Sequence, residues 1–420
     1  MSLNPDVIRA QFPSLDRGSV FLDNPGGTQI SQHSLNRIQR YLLECNANHE
    51  GAFETSRRSD EVLQEARMAM ADFVNAASPD EIVFGNNMTT LTLHMSRSLA
   101  RSFGPDDEIV VTRLDHDANI SPWLLVAQDR GCKVTWIDFD VEDGTLMVED
   151  FARTLERKPK IAAFGYASNA LGTINPARKL TRMAKEAGAL VYIDAVQYAP
   201  HGPIDVRDLG CDFLVCSSYK FFGPHAGVLY GRLDLLDELP AYKVRPASDR
   251  PPYKFETGTQ NHEGIAGILG AIEYLEWLGG HFGAEGDWRE AGFSGRALTL
   301  KKTMTAIRSY EFELSRLLIE TIQALPGARI YGITDTRRLE ERVPTVSFTL
   351  QGISPRALAE RLDHEGFYVW DGNYYALAVT ERLDLEDKGG MLRVGAVHYN
   401  TKDEIARLGQ ALRRIATSVG

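Results

Sequence analysis

The sequence predicts an α/β protein with two units: a mostly parallel sheet covered by helices on both faces, then a smaller α/β domain. Three observations lead there. Between Ile82 and Tyr230, short β-rich runs alternate with helical patterns. The intervening helical segments are amphipathic, as in 177–187, where Leu180, Met183, Ala184 and Ala187 share one face. Beyond a Pro-rich connection at 245–253, the pattern changes.

The strand candidates of the first unit are, in order, DEIVF, EIVVT, KVTWIDF, KIAAFGY, LVYIDA, DFLVCSS and GVLYG. Near-continuous apolar runs separated by helices predict strands buried on both faces of a parallel sheet. Ligands of such sheets sit beyond the carboxyl ends of the strands. A Gly-rich helical stretch follows at 264–280, and then RVPTVSFTL, a helix over 354–365, FYVW, MLRVGAV and a closing helix over 402–415. These predict a compact domain with an antiparallel sheet. The expected division is an N-terminal arm packing on the small domain (1–18), a large domain (19–310) and a small C-terminal domain (311–420).

With 420 residues, 43% hydrophobic and 25% charged, the chain can bury one large core and a second smaller one. The formal net charge of −11 argues against a nucleic-acid or polyanionic-membrane partner, because phosphates are bound by concentrated Lys and Arg. A small-molecule substrate is expected instead. Residues 1–17 lack a cationic segment followed by an apolar one, and no run approaches the roughly 20 apolar residues that span a bilayer. A cytoplasmic protein is expected. The four cysteines (Cys45, Cys132, Cys211, Cys216) form no CxxC pair and no zinc-like spacing with histidine, so buried, reduced thiols and no metal site are expected.

The strongest local signal is SSYKFFGPHAG, residues 217–227. Lys220 follows a buried strand at the sheet's ligand edge, in apolar surroundings that favour a neutral, nucleophilic amine. A strand-end lysine is by itself usually only solvated, so its neighbours matter. LVYIDA ends in Asp194, with Gln197 three residues on; a carboxylate there needs a cationic partner to offset its desolvation. A protonated pyridine nitrogen would serve and would strengthen the ring as an electron sink. GYASNALGTINP brings Asn169 to the same edge, as a holder of substrate or cofactor, or simply as a turn residue. GNNMTTLTL carries Thr89 and Thr90 where a strand gives way to a helix, which suits an anion as well as plain helix capping. RLDHDANISPW offers His116, placed to stack on a planar cofactor or shuttle a proton, or merely hydrogen-bonded.

Taken together, these segments resemble the class V aminotransferase fold, within it the cysteine desulfurase and selenocysteine lyase-like group. The likeness runs in order through FLDNPGGTQ, NANHEG, the Thr89 turn, DHDANISPW, SNALGTINP, YIDAVQ, SSYKFFGP, FETGTQN and RVGAVHYN. It implies fold type I of the pyridoxal-phosphate (PLP) enzymes. Its S-x-x-K motif places the cofactor's Schiff base on Lys220, and its D-x-x-Q motif pairs Asp194 with the pyridine nitrogen and Gln197 with the phenolic oxygen. His116 would stack on the ring. Thr89 and Ser217 would hold the phosphate, joined by Thr259 from a second subunit, which implies a homodimer. Arg393 would clamp the substrate carboxylate, assisted by Asn169.

Two departures bear on the reaction. The desulfurases carry a mobile loop with a catalytic cysteine, in a pattern like R-x-G-H-H-C-A; here the stretch reads WDGNYYA, with Trp370 for the arginine and Tyr375 in the cysteine's place. The residue before the lysine is Tyr219, where the desulfurases have histidine. Without a thiolate acceptor, transfer of sulfur to the protein is disfavoured. β-Elimination is the expected reaction, by a C–S lyase acting on cysteine, cystine or an S-substituted cysteine, with Tyr375, Tyr374 and Trp370 shaping the substrate pocket or only packing the domain interface. Transamination and epimerisation share the same loss of the α-proton and stay open. A non-catalytic scaffold would need none of Lys220, Asp194, Gln197, His116 and Arg393.

Overall fold

A computed structural model describes every residue except 1, 2, 285, 287, 419 and 420. Its large sheet has seven strands: β1 (Ile82–Gly85), β2 (Glu108–Thr112), β3 (Lys133–Ile137), β4 (Ile161–Gly165), β5 (Leu190–Asp194), β6 (Phe213–Ser217) and β7 (Gly227–Gly231). Their spatial order is β1-β7-β6-β5-β4-β2-β3, and only β7 runs against the rest.

The apolar runs in the sequence follow from this arrangement. Along β2, Val110 joins one hydrophobic cluster, while Ile109 and Val111 join another; Ala162 is likewise flanked by Ile161 and Ala163, and Leu214 by Phe213 and Val215. Alternate side chains thus enter cores on opposite faces of the sheet, so neither face can carry polar residues. The helix predicted over 177–187 forms as Ala177–Glu186, with Leu180 and Ala184 buried. The Gly-rich stretch forms the helix His262–Phe282, packed against the helix Gln32–Glu44. Gly270 permits that approach, because a Cβ there would lie 2.6 Å from the His33 carbonyl oxygen.

The small sheet is antiparallel, with β8 (Ala328–Tyr331), β9 (Thr345–Leu350), β10 (Trp370–Gly372) and β11 (Met391–Gly395) in the order β10-β11-β9-β8. FYVW is not one strand. Phe367–Tyr368 pairs in parallel with Val20–Phe21, and the chain then turns so that Trp370 opens β10 beside Arg393. The 29-residue helix Gly295–Gln323 links the units: Met304 and Ile307 belong to the large core, whereas Leu314, Leu318, Ile319 and Ile322 belong to the small one. Val20 and Leu22 also pack in the small core. The preceding arm touches both units, for Phe12 packs against Phe222, Tyr274 and Tyr399 while Arg9 pairs with Glu404 at 2.8 Å. Among the described residues, no helix is long and apolar enough to cross a membrane.

Candidate active site

The carboxyl ends of β1, β2, β4, β5 and β6 surround two adjoining cavities, an inner one of about 60 Å³ and an outer one of about 460 Å³. Thr89, His116, Asn169, Tyr219 and Lys220 line both. Asp194, Gln197 and Ser217 line only the inner cavity; Arg393, Trp370 and Tyr375 line only the outer one.

Lys220 ends a single helical turn, Ser218–Lys220, directly after β6. Its side chain is buried, and its Nζ donates to the Pro25 carbonyl. Burial, aided by the nearby Arg393 charge, pulls its pKa down to about 7, so a neutral amine is accessible near neutrality. Asp194 closes β5 and accepts one hydrogen bond, from the Val196 N–H at 2.9 Å. Burial pushes its carboxyl up to about 7, and the negative charge of Asp115 adds to the shift. Asp115 is itself raised to about 6 by burial, although Thr112, Asn119 and the Gly165 N–H all donate to it. The inner wall therefore holds a carboxylate whose desolvation the Val196 N–H and the Lys220 charge offset only in part, which is the environment a protonated ring nitrogen would complete.

At another side of the inner cavity begins the helix Met88–Leu99, capped by the Asn87 side chain, which accepts from the Thr90 N–H. The Ser217 hydroxyl oxygen accepts the Met88 N–H at 3.0 Å. Gly227 allows this fit, since a Cβ there would meet the Asn87 backbone at 2.5 Å. Thr89, Ser217 and the positive end of the helix dipole could hold an anion such as a phosphate there.

His116 opens the outer cavity. Burial, with Lys220 and Arg393 nearby, lowers its pKa to about 4, so the imidazole is neutral at physiological pH. Its Nδ1 accepts the Ala118 N–H at 3.0 Å, which leaves the proton on Nε2. Arg393, at the centre of β11, donates to the Asn169 carbonyl at 3.1 Å and to Asp23 at 3.0 Å, with its guanidinium 4.3 Å from the centre of the Tyr374 ring. Its Nε and the Asn169 Oδ1 are buried without a partner, two polar atoms whose desolvation a ligand would offset. The Asn169 amide donates to the Tyr374 carbonyl, and Gln197 donates to the Thr345 hydroxyl.

Thus Lys220, Asp194, Gln197, Ser217, Thr89, His116, Asn169, Arg393 and Tyr375 converge. Thr259 does not; it is exposed on the loop before the helix His262–Phe282 and lines neither cavity. Asp23, Pro25, Asp115 and Asp117 belong to the site without having been singled out. Asp23 lies inside FLDNPGG, and two aspartates flank His116 in LDHDAN, so a scan for acidic residues within the quoted motifs would have found these three aspartates.

The amine, the partly compensated carboxylate, the candidate anion site and the two partnerless polar atoms fit PLP. A comparison with known families decides the matter, since the profile described as aminotransferase class-V matches residues 20–285 and 292–408. The chain belongs to this family. It is a cysteine desulfurase-like enzyme of a PLP-dependent class. A probable cysteine desulfurase of Streptomyces coelicolor is 32% identical, the match covering 100% of this chain and 98% of that protein. A cysteine desulfurase of Synechococcus elongatus is 31% identical, but this chain spans 63% of its length. An aminotransferase-like protein of Gibberella zeae is 32% identical over 99% of both. The apo cysteine desulfurase of Thermococcus onnurineus superposes with a TM-score of 0.88 at 26% identity, each chain fully covered.

Proposed function

We propose that this enzyme is a C–S lyase that eliminates the sulfur substituent of cysteine or an S-substituted cysteine, without passing sulfur to a cysteine of its own. The observation that carries this reading is Tyr375. It occupies the position where the resemblance calls for a thiol, and none of the four cysteine side chains lines either cavity. Cys211 and Cys216 are buried with thiols pushed well above the ordinary range, the opposite of an activated nucleophile.

The turn around Tyr375 is also a poor carrier. Tyr374 and Tyr375 both sit at φ 57°. The Asn373 side chain accepts the Tyr375 N–H, and the Tyr375 carbonyl accepts the Asp117 N–H at 2.6 Å. Such a tethered left-handed pair costs energy to hold and is over-determined by its contacts. A sulfur shuttle requires a loop that moves.

Bound PLP supplies an electron sink for the substrate's α-carbon. The chain's residues do the rest. Arg393 gives its fork to the substrate carboxylate in place of Asp23, and the Asn169 Oδ1 accepts from the substrate side. Lys220 takes the α-proton and returns it to the departing sulfur. Asp194 would pair with the ring nitrogen, Gln197 would bond the phenolic oxygen, and neutral His116 would lie against the ring. Thr89 and Ser217 would hold the phosphate, joined by Thr259 of a second copy in a homodimer. With one water consumed, the products are a thiol, pyruvate and ammonium.

The Gibberella zeae relative's name supports transamination as a second reading, which shares every step up to α-proton loss. The holoenzyme, given cysteine, cystine and S-alkyl cysteines without reductant, separates them. Pyruvate with free thiol or sulfide supports elimination. Alanine contradicts it, and an exchanged amino group with no sulfur release moves the assignment to transamination.

A further inference from the structure

We propose that the outer cavity is a distal subsite selecting a positively charged substituent on the substrate's sulfur; this rests on the elimination reading and names its substrate class. A volume of about 460 Å³ lies in the range of small-molecule pockets, and the cofactor would share only its inner side, where Thr89, His116, Tyr219 and Lys220 line both cavities. Its far walls combine the apolar Leu93 and Pro122 with the rings of Trp370 and Tyr375, which are 55% and 75% exposed. Aromatic faces of this kind attract cations.

A carboxylate stands among these rings. Asp117 lines the same cavity, and the Ser121 hydroxyl donates to it, but no cation pairs with it among the described residues. Tyr375 is tied to the same residue through the Asp117 N–H, and its ring lies nearly parallel to that of His116, at 18° and 5.7 Å between centres. Neutral His116 offers Asp117 no counter-charge. When Arg393 takes the substrate carboxylate, Asp23 also loses its partner, so two carboxylates face the volume where the sulfur substituent must lie. An ammonium or comparable cation there meets aromatic faces and negative charge together. An anionic substituent meets the same two carboxylates, with Arg393 already taken up by the substrate carboxylate.

The test compares the holoenzyme's kcat/KM for S-(2-aminoethyl)cysteine, S-ethylcysteine and S-carboxymethylcysteine, which share a backbone and differ in terminal charge. The aminoethyl compound is expected to exceed the ethyl compound about tenfold, and the carboxymethyl compound to rank last. Asp117→Asn should bring the aminoethyl-to-ethyl ratio near unity, and Trp370→Ala, at an exposed position, should lower it a few-fold. No charge preference, or preference for the anion, overturns the subsite. Binding of lysine, norleucine and 2-aminoadipate, read from the cofactor's absorbance, needs no elimination. Lysine binding ahead of norleucine, with no product from any thioether, keeps the subsite and removes the lyase reading; equal binding of the three overturns the subsite.

Discussion

The inner and outer cavities meet at Lys220 yet are built on different terms. The inner one is made by strand ends and one helix start, and its charged groups are strained by burial: Asp194 is raised to about 7 and Lys220 lowered to about 7. The outer one is made by side chains of both units, and its aromatic rings stand partly in solvent. On the proposed reading, the contrast assigns removal of the α-proton to groups fixed at the sheet's edge and the fate of the sulfur to a turn borrowed from the small domain.

Removing the inner amine should have the largest effect. Lys220→Ala is expected to lower turnover by about 10⁴-fold and to abolish the covalent cofactor band, as read by absorbance before and after borohydride. Survival of the band would place the linkage elsewhere. Asp194→Asn should retain cofactor but slow α-proton exchange, followed by deuterium washout, by roughly 10²–10³-fold. Arg393→Ala should weaken amino-acid binding by about 1.5–3 kcal/mol, measured by titration, with little change in cofactor content. Loss of cofactor instead would blur the boundary between the two cavities.

A stability measurement sharpens the same contrast. The pKa of Asp194 is raised from 3.8 to about 7, so the native state holds its proton more tightly than the unfolded chain. The associated stability is present below 3.8 and is lost as pH rises through about 7, roughly 1.4 kcal/mol per unit between those values. In the cofactor-free protein, Asp194→Asn should therefore raise the Tm at pH 8 relative to the parent and bring little gain at pH 4. No gain at pH 8 would mean that the site compensates Asp194 without a cofactor. Tyr375→Ala should have the smallest effect, a few-fold change in preference among S-substituted cysteines with proton exchange intact.

Much of the inner cavity was legible because its residues are tied to strand ends. An apolar run such as LVYIDA has one direction and one exit, so Asp194 could be placed before any coordinates, and SSYKFFGP placed Lys220 in the same way. The outer cavity was less so. Asp117 and Trp370 are 253 positions apart by their numbering and meet only because β10 pairs beside Arg393 after the break at Val369. Strand β8 also escaped notice: ARIY is four residues long, and an arginine interrupts its apolar pattern. The Asp23–Arg393 pair was hidden for a further reason, since its members come from opposite ends of the chain and neither sits in a periodic element pattern that points to the other.

The most direct test of whether the chemistry and the sulfur's fate are divided in this way is to weigh the intact protein after turnover with cysteine in the absence of reductant, while assaying the solution. The account predicts pyruvate and sulfide in solution and a polypeptide with no added sulfur. A sulfur-bearing adduct on Cys45, Cys132, Cys211 or Cys216, accompanied by alanine, would contradict it.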